Sequence, residues 1–461
     1  MQNTHAVEDM VKNAGVGAFD ITRVLDEAPV GRLMVRVGLL CGLVALLDGT
    51  DTTSIGVTAS LILDELGLSP GHLGPIFSSA LLGAMLGAAT FGSLADRLGR
   101  KSMLLVATAL FSVFTAMTAL AGSFSALLII RFLLGIGLGG AAPCFIALTS
   151  EYAPKSHRRL ITGLIWTAFP FGVILGAMVN AYLLAHSSWH AVFFFGGALP
   201  LAACVAVALW LPESLRFLLV KRPDSEEIGR IMRHVAPTLP PMARIVGSEL
   251  KSEGPATGLF HGGRTLETVP LWLAFMAAFG MTAATFFWSP ILLHGHGISL
   301  PKASLIVGVG GGVGSLFGAA GAGRLMEKFG SETILATTFL LATLTTATLG
   351  YAARFPVPMV LDVLANAVLM AGISTAGMLA LSAGLYPTAI RSTGVGWAMG
   401  AGRLGEVIMP LLIGALMVRI GTLGETVFLL VAIAPLIGAL SILFLKWCAS
   451  RGRTAGRLSA T

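Results

Sequence analysis

The chain has 461 residues, of which 55% are apolar and only 11% charged, with a mean hydropathy of +0.85. Soluble domains carry about 25% charged residues, so this chain lacks the charge to cover a water-facing surface, and a soluble multidomain protein is excluded. The formal net charge of +7 is no nucleic-acid signature, because the basic residues fall in short clusters between apolar runs, as membrane orientation requires.

From the N-terminus, residues 1–33 mix Glu8, Asp9, Asp20, Asp26 and Glu27 with Lys12 and Arg23. They hold no apolar core of signal-peptide type and read as a cytoplasmic tail. Apolar stretches of spanning length then fall at roughly 34–63, 74–95, 102–121, 125–150, 160–184 and 190–211 (spans 1–6). A second set falls at roughly 269–293, 303–325, 333–352, 358–384, 393–418 and 425–446 (spans 7–12). Between the sets, 212–268 holds Pro223, Pro237, Pro240, Pro241 and many charges, and reads as a solvated cytoplasmic loop. The expected division is therefore a tail over 1–33, a six-helix bundle over 34–211, a central loop over 212–268, a second bundle over 269–446 and a tail over 447–461. The 57 glycines suit helices packed closely in a bilayer.

Lys and Arg set the orientation. With both termini inside, Arg97, Arg100, Lys101, Lys155, Arg158, Arg159, Arg324, Lys328 and Arg391 lie in inner loops, whereas the outer loops hold Lys302, Arg354 and Arg419. The bias places both termini in the cytoplasm and, for a bacterial chain, the protein in the inner membrane. A repeat supports two halves. Gly92-Ser-Leu-Ala-Asp96-Arg97-Leu-Gly99-Arg100-Lys101 after span 2 returns after span 8 as Gly323-Arg-Leu-Met-Glu327-Lys328-Phe-Gly330, at an offset of about 231 residues. Thr162-Gly163 with Trp166 returns as Thr393-Gly394 with Trp397 at the same offset.

The segment from Gly92 to Lys101 resembles the loop signature of the major facilitator superfamily. Further motifs are similar to its aromatic acid:proton symporters. These are Asp48-Gly-Thr-Asp51, Arg131-Phe-Leu-Leu-Gly135, Ser150-Glu151-Tyr-Ala-Pro154, Pro212-Glu213-Ser214, Tyr386-Pro387-Thr-Ala-Ile-Arg391 and Gly402-Arg403-Leu-Gly405. The resemblance covers about 30–450. It implies an all-α membrane protein, twelve helices in two pseudo-symmetric six-helix bundles, importing an aromatic carboxylate (benzoate, hydroxybenzoate, phenoxyacetate or similar) with protons by alternating access. Three positions depart from the family. Cys144 stands where Asn is common, Thr375 and Leu379 where span 10 has amides, and Glu406 where span 11 has a small residue.

Asp48 and Asp51 lie i, i+3 in span 1. A charge at membrane depth costs about 2.5–3.5 kcal/mol, and a low dielectric with a like-charged neighbour penalises the ionised form. They are candidates for proton coupling, or alternatively a structural pair lining a water cavity. Arg131 is the expected partner, since a rise of 1.5 Å per residue puts it and Asp51 at similar depth. A fixed helix–helix ion pair is the plainer alternative. Arg403 and Glu406 form a second i, i+3 pair in span 11. The guanidinium fork suits a substrate carboxylate, whereas Glu406 either neutralises Arg403 or takes a proton before substrate displaces it.

Phe145, Trp166, Phe169, Phe171, Phe287, Trp288 and Trp397 could hold an aromatic ring, or could serve packing and interfacial anchoring. With Arg403, Cys144 and Thr375, the substrate candidates among them are Phe145, Trp166, Phe169, Trp288 and Trp397. Asp96, Arg97, Arg100, Lys101 and Glu151, with Glu327 and Lys328 in the second copy, are candidates for a gate, or for orientation alone.

No cofactor is expected. Cys41, Cys144, Cys204 and Cys448 form no CxxC pair, and His294-Gly-His296 is a weak metal pattern. The expected partners are protons, an aromatic carboxylate and membrane lipid, with no nucleic acid, and the chain is expected to work as a monomer. No nucleophile–base constellation suggests an enzyme. Two other readings are efflux of organic anions or drugs, for which Gly163, Gly172 and Gly176 match part of an antiporter spacing, and a membrane sensor of aromatic acids.

Overall fold

The computed structural model describes residues 19–20, 25–26, 30–223, 225–235, 245–246, 259–260, 264–386, 390–421 and 424–458. Most of the expected N-terminal tail, residues 236–244 and 247–258 of the central loop, residues 387–389 of the span 11 motif and the side chain of Arg159 lie outside them.

Twelve helices among the described residues are long and apolar enough to cross a membrane. They run Arg32–Leu66, Pro70–Leu98, Arg100–Thr118, Phe124–Tyr152, Leu160–His186 and Trp189–Trp210, then Thr265–Gly295, Leu300–Phe329, Ser331–Ala352, Pro356–Leu385, Thr393–Ile420 and Glu425–Cys448. The fold is two six-helix bundles in one multi-pass membrane protein. Each span runs as long as or a few residues beyond its apolar stretch at most ends, because helices continue past the hydrocarbon edge into their polar caps.

The repeat is visible in the backbone. Gly99 (φ 102°, ψ 139°) and Gly330 (φ 86°, ψ 141°) end spans 2 and 8 in nearly the same left-handed conformation. A side chain at either position would be strained. Within the first bundle, small residues let backbones touch. A Cβ on Gly135 or Gly139 of span 4 would lie 1.9 Å from the carbonyl oxygens of Ala80 and Ala84 in span 2.

Span 1 is broken. Its helix stops at Thr52 and restarts at Ser54. The hydroxyls of Thr50, Ser54 and Thr58 donate to carbonyls three or four residues back, at 2.7, 3.2 and 2.7 Å, a pattern that bends helices. The buried Asn180 of span 5 donates to Thr53 Oγ1 and Ser54 Oγ, each at 3.2 Å, and clamps the break.

The central segment is less solvated than its charges suggest. Leu215–Lys221 and Glu226–Val235 are helical, and Leu215, Leu218, Ile231 and Met232 are buried against the first bundle. Their helical spacing supplies an apolar face that the prolines and charges of the segment obscure. Phe19–Asp20 pairs in parallel with Ile245–Val246. The tail after 446 also begins as helix, since the last helix runs to Leu458.

Candidate functional site

The two bundles meet along two main seams, span 2 against span 11 and span 5 against span 8, and the second half of span 1 also packs on span 7. At the end opposite the loop signature both seams are tight. Ser78 Oγ donates to the Val407 carbonyl at 2.7 Å, and Ser304 Oγ to that of Ala177 at 3.0 Å. A Cβ on Gly74 would lie 2.9 Å from Pro410 O, and one on Gly312 2.8 Å from Pro170 O. Phe77 of span 2 packs between Phe287 (centroids 5.1 Å, stacked) and Trp288 (5.5 Å, edge-on) of span 7.

About three helical turns nearer the signature, on the same faces, the seams gape. Gly163 lies below Ile174, and Gly396 and Gly400 below Val407 and Leu411. A Cβ on any of these three would meet nothing within 4 Å. The molecule is therefore open at its signature end and closed at the other.

Arg403 stands where the span 2–span 11 seam begins to part, one turn below Val407 and near the middle of span 11. Its side chain is 33% exposed, and its Nη1 donates to Glu406 Oε2 at 2.7 Å. Asp48, half-buried on span 1 of the other bundle, shares the electrostatic field of Arg403 and Glu406 as well as that of Asp51. Three ionisable groups from two bundles thus interact electrostatically at mid-depth.

Asp51 points the other way. It is buried inside the first bundle, with its Oδ2 3.8 Å from Arg131 Nη1 and its Oδ1 accepting from Thr115 Oγ1 at 3.5 Å. Arg131 Nε and Nη1 are buried without a hydrogen-bond partner. The two aspartates share a helix but not an environment, because residues three apart on a helix are rotated by about 60°, enough here to face different bundles.

The gate candidates divide as well. Arg100 Nη1 donates to Glu151 Oε2 at 2.7 Å, and its other nitrogen lies 3.5 Å from the largely exposed Asp96. Glu151 also accepts from Ser214 Oγ at 2.7 Å and the Arg216 N–H at 2.8 Å. Glu213 accepts the Lys101 N–H at 2.9 Å, capping span 3, and Tyr152 donates to its carbonyl at 2.6 Å. This network ties spans 2, 3, 4 and 6 within one bundle. Arg97 is exposed, and Lys101 takes part through its backbone. Glu327 and Lys328 do not repeat the network. Both are exposed, and the Lys328 ammonium sits 5.0 Å from the Phe329 ring.

The substrate candidates scatter. Cys144 is fully buried in the core of the first bundle and Phe145 is 1% exposed, so neither reaches the opening between bundles. Their apolar surroundings on span 4, not a cavity, explain them. Trp288 is likewise buried, in the closed seam. Trp166 and Trp397, mates in the repeat, are 42% and 53% exposed at similar depth below Arg403. Each is backed by one ring, Trp166 by Phe145 (6.2 Å, edge-on) and Trp397 by Trp272 (5.9 Å, stacked). Phe169 and Thr375 are half-buried, with Thr375 Oγ1 bonded to Met370 O at 2.9 Å. Phe171 is 55% exposed. Gly172 and Gly176 press on the Leu46 and Thr50 carbonyls of span 1, which is helix packing and carries no argument for efflux.

Sequence reasoning did not assign roles to Thr115, Asn180, Glu213 and Ser214. The last two stood in a recognised motif, and Asn180 was a polar residue in an apolar helix, so both signals were there to be read. Thr115 had none, since span 3 is rich in hydroxyls.

The sequence matches the Major Facilitator Superfamily over residues 41–379. It is 32% identical to a 4-hydroxybenzoate transporter of Pseudomonas putida, over 87% of this chain and 90% of that one. It is 32% identical to a gallate transporter of the same species (94% and 96%) and 33% identical to a 3-(3-hydroxy-phenyl)propionate transporter of Escherichia coli strain K12 (91% and 96%). Its fold matches that of a D-xylose–proton symporter with a TM-score of 0.70, at 21% identity over 90% of this chain and 97% of that one. The chain belongs to the Major Facilitator Superfamily and is a transporter, not an enzyme.

Proposed function

We propose that the chain is a symporter that takes up an aromatic carboxylate together with protons, by rocking its two bundles about a site at mid-depth. The observation that carries this reading is Arg403, a part-exposed guanidinium where the bundles part, with Asp48 of the other bundle in its field. A planar fork at that depth suits a carboxylate, and the named relatives carry hydroxybenzoate, gallate and hydroxyphenylpropionate. Half-exposed Trp166, Phe169 and Trp397 offer ring faces along the way in.

Protons are assigned to Asp48 and to the Asp51–Arg131 contact. Protonating Asp51 would release Arg131 and bias one conformation. The Arg100–Glu151–Glu213 network is read as the brace of a gate at the signature end. The Lys and Arg distribution supports that end facing the cytoplasm, with both termini there, and we place the protein in the inner membrane, working as a monomer.

The test is uptake of labelled benzoate, 4-hydroxybenzoate, gallate and 3-(3-hydroxyphenyl)propionate into proteoliposomes with an imposed pH gradient, acid outside. Accumulation that collapses with a protonophore supports the reading. No accumulation of any acid, or accumulation only with the gradient reversed, overturns it.

A further inference from the structure

Glu406 holds the group that a substrate carboxylate would need. Its Oε2 takes an N–H of Arg403 at 2.7 Å. Among the described residues, only that edge of the guanidinium is engaged in a hydrogen bond, and the side chain stays 33% exposed. The Asp48 carboxylate of the other bundle also interacts electrostatically with it. Among the described residues, the elements packed against span 11 add no further charge at this depth. Span 2 carries its titratable groups at its ends (His72, Asp96, Arg97), as do span 7 (Glu267, His294) and span 12 (Glu425, Lys446). On span 10, Asp362 is bonded to Thr348 of span 9 at 3.0 Å.

One guanidinium therefore already faces two acids. A bound carboxylate would be a third anion on a single cation at mid-depth, where like charges repel more strongly than in bulk water. The site can accept it without a gain in negative charge only if one of its own acids becomes neutral. Glu406 is the acid hydrogen-bonded to Arg403, so it is the one whose neutralisation both removes a charge and frees an N–H.

Resting on the function proposed above, we infer that Glu406 is an internal carboxylate that takes up a proton as the substrate carboxylate takes Arg403. The step balances. Glu406 gains one proton from the solvent on the open side, its ion pair with Arg403 breaks, and an Arg403–substrate ion pair forms. Release on the other side reverses it. Each turnover then moves one more proton than the Asp48, Asp51 and Arg131 machinery alone.

The test is isothermal titration of the purified transporter with benzoate, 4-hydroxybenzoate and gallate, in buffers of different ionisation enthalpy, which counts protons taken up on binding. The parent should take up a proton at this site on binding, and its affinity should fall about tenfold per pH unit as the pH rises. Glu406→Gln keeps an acceptor beside Arg403 but cannot titrate. It should bind with one proton fewer and a correspondingly flatter pH profile. Glu406→Asp should restore the proton count. A Glu406→Gln protein with the parent's proton count and pH slope overturns the inference while leaving the function intact, and a slope that vanishes only in Asp48→Asn moves the role to that residue. If no aromatic acid binds the parent, the function proposed above and this inference both fall.

Discussion

Arg131 Nη1 lies 3.8 Å from Asp51 Oδ2, yet neither Nη1 nor Nε of that buried arginine has a hydrogen-bond partner. A buried charge pair with loose geometry recovers little of its desolvation cost. Such a pair is poor at holding a fold together and well placed to come apart.

Asp51→Asn should therefore have two separable effects. Stability should fall by about 3–5 kcal/mol, because the arginine is left buried and unpaired. Proton-driven accumulation should also be lost. Asp51→Asn with Arg131→Met should recover most of the thermal stability in detergent, since an apolar replacement of a buried pair is often neutral. It should not recover accumulation. Full uphill transport by the double variant would reduce the pair to a structural contact.

The brace at the signature end predicts a ranking. Asp96 is 70% exposed and lies at 3.5 Å from Arg100, so Asp96→Asn should cost under about 1 kcal/mol. Glu151 is 1% exposed and bonded by Arg100, Ser214 and the Arg216 N–H. Arg100→Ala leaves it with two neutral donors, and about 2–3 kcal/mol should be lost. Thermal unfolding of the three proteins in one detergent checks the order. Equal melting temperatures for Asp96→Asn and Arg100→Ala would count against the brace.

The seams predict opposite effects for one kind of substitution. A Cβ on Gly74 would clash with Pro410 O at 2.9 Å, so Gly74→Val should pry the closed end apart. Gly400, on the same face of the seam about three turns nearer the signature, has nothing within 4 Å. Gly400→Val should fit the present state and obstruct closure of the signature end. The readout is maleimide labelling of a cysteine placed at Trp166, in a background without native cysteines. Labelling should slow in Gly74→Val and persist or quicken in Gly400→Val. The same direction of change in both would mean that the seams do not alternate.

Much of this was legible in the sequence. Charge depletion and twelve apolar runs fix the class, and the duplicated loop, down to the paired backbone of Gly99 and Gly330, fixes the two halves. The site was legible only in part. Asp48 and Asp51 read as one pair because i, i+3 spacing brings residues close on an isolated helix, but in the bundle the neighbours decide, and the two face different halves. Cys144, Phe145 and Trp288 could not be told from cavity residues, since an apolar helix in a membrane gives no periodic signal for which face is core and which is lipid. Arg403 with Glu406 was legible because two charges at mid-span are rare enough to need a reason.

That pair yields the last prediction. Arg403→Lys keeps the charge but loses the planar fork, and should weaken binding of an aromatic carboxylate roughly tenfold, about 1.4 kcal/mol. Arg403→Ala should weaken it roughly a hundredfold, with part of the loss arising from Glu406, which loses its ion-pair partner. The double variant Arg403→Ala with Glu406→Ala separates the two causes. If Arg403 only neutralises Glu406, removing both acid and base restores the site, and affinity returns to within a few-fold of the parent. If Arg403 receives the substrate carboxylate, the double variant regains stability but stays at least tenfold weak, and the primary amide of the same acid binds parent and double variant alike. Equilibrium binding of one labelled acid and its amide to the four proteins decides between them, because only a direct Arg403–carboxylate contact makes the penalty follow the charge of the ligand instead of the charge of residue 406.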